Sequence, residues 1–316
     1  MENKKNKILI IGAKGMLGQE LVKVFKKDRD FEVLAWDKEE IDITKPKEIE
    51  TKIKKLKPKF IINSAAYNAV DKCEEDAKEF ILAKKINGIA PANLAKVAAK
   101  IGATLVHYST DYVFDGFPEI PEPTGCAGAC GSCHLHESFV PQIGFKENDK
   151  PIPINKYGKS KLLGEVNVKK NTKKYYIIRP SKIFGKPAQI EGAKRSFFDV
   201  MLEAGKNPKN KKSGVKVVDE EMSCFTYAPD LAKKTKEIIE ANKPFGIYHI
   251  VNGEPCTWYE AVLELYQQAK VKTKVIPVGS EEFPRPAKRP AYSVLLNTKL
   301  NPLRSYKEAL KEYLKK

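Results

Sequence analysis

Tyr157 and Lys161 stand four residues apart in Tyr157-Gly-Lys-Ser-Lys161, the spacing that puts two side chains on one face of a helix. A phenol ionises near pH 10 and a neighbouring ammonium stabilises its phenolate. The pair could therefore give up and recover a proton near neutral pH. Ser109-Thr110-Asp111 closes an apolar run upstream, where a hydroxyl could polarise a carbonyl. A second set of residues suits a dinucleotide. Gly12, Gly15 and Gly18 form GxxGxxG between an apolar run and an amphipathic stretch. Glycines there allow a tight turn, and the helix that follows offers backbone N–H groups to a pyrophosphate. Asp37 comes about 20 residues later, where a carboxylate accepts ribose hydroxyls. That carboxylate favours NADH, while Lys38 and the general lysine excess leave NADPH open. The bland readings are turn glycines, a turn aspartate and an ordinary surface Tyr/Lys pair.

Elements that could position these groups alternate along the first half of the chain. Short apolar runs at residues 7–13, 31–37, 59–66 and 103–110 read as strands. Between them, residues 16–27, 46–56 and 74–101 read as helices, the second opened by Pro46 and the third broken near 88–91. A helix containing residues 159–170 and a strand at 175–178 continue the pattern. This alternation predicts an α/β fold, a doubly wound parallel Rossmann sheet whose ligands sit at the carboxyl ends of its strands. Beyond residue 185 the texture turns polar, proline-containing and lysine-rich. The expected division is a dinucleotide-binding domain over 1–185, with an insertion at about 117–146, and a smaller C-terminal α/β substrate domain over 186–316. Residues 226–241 are expected to return to the first domain.

Hydrophobic residues make up 42% of the 316 and charged residues 31%, the balance of an ordinary globular chain. The longest apolar runs fall far short of the roughly 20 residues that span a bilayer, so no membrane partner is expected. The first residues lack the apolar stretch and cleavage site of a signal peptide, which predicts a cytoplasmic protein. A net charge of +17 raises the question of nucleic acid, but the lysines are scattered without interleaved aromatics. A solvated basic surface that attracts an anionic substrate is the expectation instead.

Taken together in order, the motifs resemble the dTDP-4-dehydrorhamnose reductases, a family of extended short-chain dehydrogenases, across nearly the whole chain. The matching segments are Gly12-Ala-Lys-Gly-Met-Leu-Gly18, Asn63-Ser-Ala-Ala-Tyr67 with Val70-Asp-Lys-Cys-Glu-Glu75, and Ser109-Thr-Asp-Tyr-Val-Phe-Asp-Gly116. They continue through Tyr157-Gly-Lys-Ser-Lys-Leu-Leu-Gly-Glu165, Gly246-Ile-Tyr-His249 and Arg289-Pro-Ala-Tyr-Ser-Val-Leu295. The resemblance implies an NAD(P)H-dependent reduction of a nucleotide-linked 4-keto sugar, dTDP-4-dehydro-L-rhamnose, for surface polysaccharide. By the same resemblance Gly12, Lys14, Gly15, Met16, Leu17, Gly18, Asp37, Asp42, Ile43, Ala65, Ala66 and Tyr67 line the cofactor. Tyr157 protonates the C-4 oxygen, Lys161 holds the nicotinamide ribose and lowers the tyrosine pKa, and Thr110 with Asp111 faces the substrate. A homodimer is a compatible assembly.

Three features depart from the family pattern. Lys182 in Arg179-Pro-Ser-Lys-Ile-Phe-Gly185 replaces a tryptophan, which takes an aromatic face from the sugar site and makes Lys182 a candidate substrate contact. The segment Val218-Asp-Glu-Glu-Met-Ser-Cys-Phe-Thr-Tyr227 differs from the usual loop. Between Gly116 and Lys146 the chain carries an insertion of about 20 residues with Cys126, Cys130, Cys133, His134 and His136. Three thiolates and an imidazole, from Cys126, Cys130, Cys133 and His134, could hold a structural Zn²⁺. An unliganded or redox-active loop is the alternative. Cys73, Cys224 and Cys256 read as ordinary thiols of a reducing compartment. Other functions compatible with the motifs are a different nucleotide-sugar 4-ketoreductase, an epimerase, or a cofactor-binding regulatory subunit without catalysis.

Overall fold

The computed structural model describes residues 5–119, 142–190 and 195–315. Ten strands occur among them: β1 (Asn6–Ile11), β2 (Phe31–Trp36), β3 (Phe60–Asn63), β4 (Thr104–Tyr108), β5 (Tyr175–Arg179), β6 (Ile183–Phe184), β7 (Val215–Val218), β8 (Thr226–Tyr227), β9 (Gly246–His249) and β10 (Val275–Val278). Six of these form a parallel sheet in the order β2-β1-β3-β4-β5-β9. Its central strands are buried at nearly every residue because both faces are covered. Ile8 and Ile10 of β1 pack with Leu17, Leu21 and Phe25 of the helix Met16–Lys26. Leu9 and Ile11 face the other way, onto Ile49 and Ile53 of the helix Pro46–Leu56 and Leu94 of the helix Ala90–Ile101. The chain is an α/β doubly wound protein. Because β1 lies between β2 and β3, the strand order reverses there and opens a crevice at the carboxyl ends.

Local chemistry sets the helix limits. Pro46 occupies the first turn of its helix, and Lys57 ends that helix in a left-handed conformation. The break expected near residues 88–91 is absent: a π-helical turn, Lys84–Ile89, runs directly into Ala90–Ile101. Pro91 falls in the first turn of that helix, directly after the π-helical turn.

A smaller lobe is built from the pairs β7/β10 and β6/β8 with the helices Phe197–Lys206, Trp258–Gln268 and Tyr306–Tyr313. Aromatic rings dominate its core, among them Phe184, Phe198, Phe225, Tyr227, Tyr266 and Tyr306. The helix Ala228–Glu240 lies against the first sheet instead, with Leu231, Ala232, Ile238 and Ile239 in the cluster that holds Leu21 and Phe25. β9 then pairs with β5, so the sheet takes its last strand from residues beyond the returning segment read from the sequence. The stretch after the insertion is tied to the C-terminal part, Phe145 N–H donating to the Val294 carbonyl at 2.8 Å.

Cys126, Cys130, Cys133, His134 and His136 lie outside the described residues. Among the described ones no group of three or more His, Cys, Asp or Glu side chains could hold a metal ion. Cys73, Cys224 and Cys256 are free, buried thiols. No helix of the described residues is long and apolar enough to cross a membrane.

Candidate active site

The glycine turn sits at the point where the strand order reverses. Gly12 has φ +79°, and a Cβ there would lie 2.7 Å from the Ala65 nitrogen, so the turn rests directly on the residues after β3. Gly15 starts the helix Met16–Lys26 without a side-chain cap, and no acidic residue stands in its first turn. The first N–H groups, those of Met16, Leu17 and Gly18 among them, are thus left for an anion. This open N-terminus fits the pyrophosphate of a dinucleotide.

Asp37 clamps the turn from the end of β2. Its two carboxylate oxygens accept from Lys14 N–H at 3.0 Å and Lys38 N–H at 2.9 Å. Each oxygen keeps a lone pair for a ribose hydroxyl, and a cavity of about 320 Å³ lined by Lys14, Asp37, Glu40 and Gln189 opens beside it. Lys14 Nζ pairs with Glu39 at 2.6 Å. Asp42 is engaged locally: its carboxylate accepts from the backbone and hydroxyl of Thr44, which hold it below the usual carboxylate range. Ile43 is buried beneath.

Tyr157 and Lys161 project from the helix Lys156–Asn171, which Asn155 caps by accepting from Gly158 N–H at 2.7 Å. This helix approaches its neighbours closely, because a Cβ on Gly164 would come within 2.2 Å of the Asn87 carbonyl oxygen. Tyr157 is 8% exposed, with its phenol 3.4 Å from Asn68 Oδ1. Burial, followed by the Asp111 charge, pushes the phenol above its ordinary pKa, and the Thr110 hydroxyl opposes that shift. Lys161 turns away from the phenol: its ammonium donates to the Tyr108 carbonyl at 2.5 Å, and burial brings its pKa down to about 8. The expected lowering of the Tyr157 pKa by Lys161 is therefore not what these residues produce on their own. Helical spacing gives the two residues a common face, but the carbonyl at the end of β4 takes the ammonium. A phenol kept protonated suits an acid.

Asp111 also differs from expectation. It is 2% exposed, and its oxygens accept from Thr110 Oγ1 at 2.9 Å, Ser181 Oγ at 2.7 Å and Ser293 Oγ at 2.7 Å. Rather than facing a substrate, it gathers three hydroxyls from three segments. Thr110 is left at the cleft edge, its hydroxyl also accepting from Tyr112 N–H at 3.2 Å. Lys182, next to Ser181, reaches toward the smaller lobe, its ammonium 3.6 Å from the centroid of the Trp258 ring.

Sequence reading overlooked Asn87. It is 1% exposed and holds both sides of the site: Oδ1 accepts from Tyr67 N–H at 2.9 Å, while Nδ2 donates to the Tyr67 carbonyl at 3.0 Å and to Ser160 Oγ at 2.9 Å. Ser160 in turn donates to the Tyr157 carbonyl at 2.7 Å. Asn87 thereby couples the half-buried Ala65, Ala66 and Tyr67 to the helix Lys156–Asn171. The π-helical turn supplies this side chain, and such turns occur often at functional sites. A polar residue inside the apolar stretch Ile86-Asn87-Gly88-Ile89 was the available signal. The phenol of Tyr67 meets Glu79 instead of the cleft.

This arrangement has counterparts among known proteins. The family model described as the RmlD substrate binding domain matches residues 6–316. The Spore coat polysaccharide biosynthesis protein SpsK of Bacillus subtilis is 33% identical over 312 residues, 98% of this chain and 96% of that protein. A crystal structure of a dTDP-4-dehydrorhamnose reductase from Clostridium acetobutylicum superposes with a TM-score of 0.82 at 37% identity, covering 98% of each chain. The dTDP-4-dehydrorhamnose reductase of Bacillus anthracis in complex with NADP gives 0.81 at 31% identity, covering 98% of this chain and 99% of the other.

Proposed function

The chain belongs to the dTDP-4-dehydrorhamnose reductase family of NADPH-dependent oxidoreductases, and on that premise we propose that it reduces the 4-keto group of dTDP-4-dehydro-L-rhamnose to give dTDP-L-rhamnose. The observation that carries this reading is the buried Tyr157 phenol near the Thr110 hydroxyl, on the helix that also carries Lys161, at the same carboxyl edge of the sheet as the open glycine turn. NADPH or NADH, when bound, supplies the hydride. The backbone N–H groups at Gly15 to Gly18 hold its pyrophosphate, and Asp37 with Lys14 receives the adenosine ribose. Lys161 binds the nicotinamide ribose through its ammonium. Tyr157 donates its phenolic proton to the C-4 oxygen as that oxygen gains negative charge, while the Thr110 hydroxyl, whose one proton goes to Asp111, stands beside the phenol.

The test is oxidation of NADPH by the purified protein in the presence of dTDP-4-dehydro-L-rhamnose, with dTDP-L-rhamnose formed in equal amount. A cofactor-binding subunit without catalysis would bind NADPH and consume none. Lys182, which gives the sugar site an ammonium where an aromatic ring is usual, favours one second reading: reduction of another nucleotide-linked 4-keto sugar. A panel of such sugars separates the two by kcat/KM.

A further inference from the structure

Lys182 adopts φ +37°, a left-handed conformation that a lysine enters only at a cost and that clusters at functional sites. The strain is held by Thr226, whose N–H donates to the Lys182 carbonyl at 3.3 Å and whose hydroxyl donates to the Ser181 carbonyl at 2.5 Å. The result is to swing the side chain out between the sheet and the smaller lobe. Its ammonium rests 3.6 Å from the Trp258 ring centroid and 5.3 Å from that of Phe225, which is the geometry of a cation–π contact.

The partners of this ammonium are few. Among the described residues its hydrogen bond goes to the Glu221 carbonyl at 3.3 Å. The Glu221 carboxylate is occupied elsewhere, accepting from the Trp258 indole N–H at 2.8 Å and from Arg285. That carboxylate fixes the plane of the indole, and the indole fixes the lysine. An ammonium has three donors, so two remain. Burial has brought its pKa down to about 8, which is the mark of a cation short of solvation. The adjacent Ser181 hydroxyl binds Asp111, which binds Thr110. This chain of hydrogen bonds, with the Asp111 charge near the ammonium, places Lys182 next to the residues around the proposed acid.

We propose that Lys182, laid on the face of Trp258, donates to a ring hydroxyl of the nucleotide-linked keto sugar and makes an oxygen at that ring position a requirement for efficient turnover. This rests on the reading under Proposed function and adds the substrate feature that the site selects. A hydroxyl suits the donor better than an anion does, because the carboxylates of Glu221 and, after it, Asp111 already lie near the lysine charge. A sugar lacking that hydroxyl would leave the ammonium underbonded in a partly dry site, and such sites reject analogues strongly.

The experiment measures kcat/KM with NADPH for dTDP-linked 4-keto-6-deoxyhexoses that carry or lack the hydroxyl at C-2, and likewise at C-3. The wild-type protein should prefer the hydroxylated sugar at one of these positions by roughly 10- to 100-fold, the range for one hydrogen bond to a charged group. In Lys182→Met that preference should shrink to within about threefold, with the deoxy sugar turned over as before. Lys182→Arg, which keeps a cationic donor, should restore most of it. Equal losses on both sugars in Lys182→Met, or a preference that survives the change, would overturn the assignment. No preference in the wild-type protein would overturn it as well, while leaving the reductase reading intact. If none of the sugars is reduced although NADPH binds, the reductase reading falls and this inference falls with it.

Discussion

On the sheet side of the cleft, each chemical group is fixed by a strand end or by the first turns of a helix. On the lobe side the facing groups are tips of long side chains from four separated segments, Lys182, Glu221, Trp258 and Arg285. The sheet side is held largely by backbone: Asp37 on the N–H groups of Lys14 and Lys38, Lys161 on the Tyr108 carbonyl, Asn87 on both polar groups of Tyr67. On the proposed reading, a change on the lobe side should alter which sugar is taken, and a change on the sheet side should alter whether the chemistry happens.

That contrast can be broken most severely at Lys161. Lys161→Met removes the charge assigned to the nicotinamide ribose, and kcat/KM should fall by roughly 10- to 100-fold, the loss of one hydrogen bond from a charged group. Steady-state kinetics with either cofactor checks this, and a loss below about fivefold would put the ammonium outside the reaction. A pH profile sharpens the same point. Lys161 carries its charge below a pKa of about 8 and loses it above, so kcat/KM of the free enzyme should decline tenfold per unit as pH rises past that value. Lys182 has a similar pKa, so the profile should be repeated in Lys182→Arg. A basic limb that disappears in that variant belongs to the wall instead of the sheet side.

Smaller effects come from the residues that hold the sheet side together. Asn87→Ala leaves the Tyr67 N–H and carbonyl without side-chain partners, which should cost about 1–3 kcal/mol of stability and raise the KM for cofactor. Thermal unfolding and cofactor titration read the two parts separately, and an unchanged cofactor KM would limit Asn87 to a structural role. Smallest is Asp37→Ala, where cofactor affinity should drop by about tenfold or less for NADH and by less for NADPH, whose 2′-phosphate is repelled by the carboxylate. Equal losses with both cofactors would reduce Asp37 to the clamp of the glycine turn.

What the sequence made legible follows the same division. The helix Pro46–Leu56 was readable to the residue, because proline at its start is a local signal. Strand starts were read to within one residue, but the ends ran two or three residues too far, at 7–13 and 59–66 against Asn6–Ile11 and Phe60–Asn63. Tyr157 and Lys161 were legible from a four-residue spacing, while the hydrogen bond from the Lys161 ammonium to the Tyr108 carbonyl was not. Asn87 escaped notice because glycine and proline next to it signal a break, whereas a π-helical turn carries the chain through. Trp258, Glu221 and Arg285 were invisible for a plainer reason: Trp258 and Glu221 meet Lys182, and Arg285 meets Glu221, across 39 to 76 residues of sequence, and no local pattern encodes such meetings.

The central claim, that Tyr157 delivers the proton to the reduced sugar oxygen, is tested most directly by Tyr157→Phe, which deletes one oxygen and preserves the ring. Turnover of dTDP-4-dehydro-L-rhamnose and NADPH affinity should be measured on the same preparation. Turnover is predicted to fall by 10²- to 10⁴-fold with NADPH affinity nearly unchanged, because the glycine turn and Asp37 lie apart from the phenol. Turnover equal to that of the wild-type protein would contradict the account.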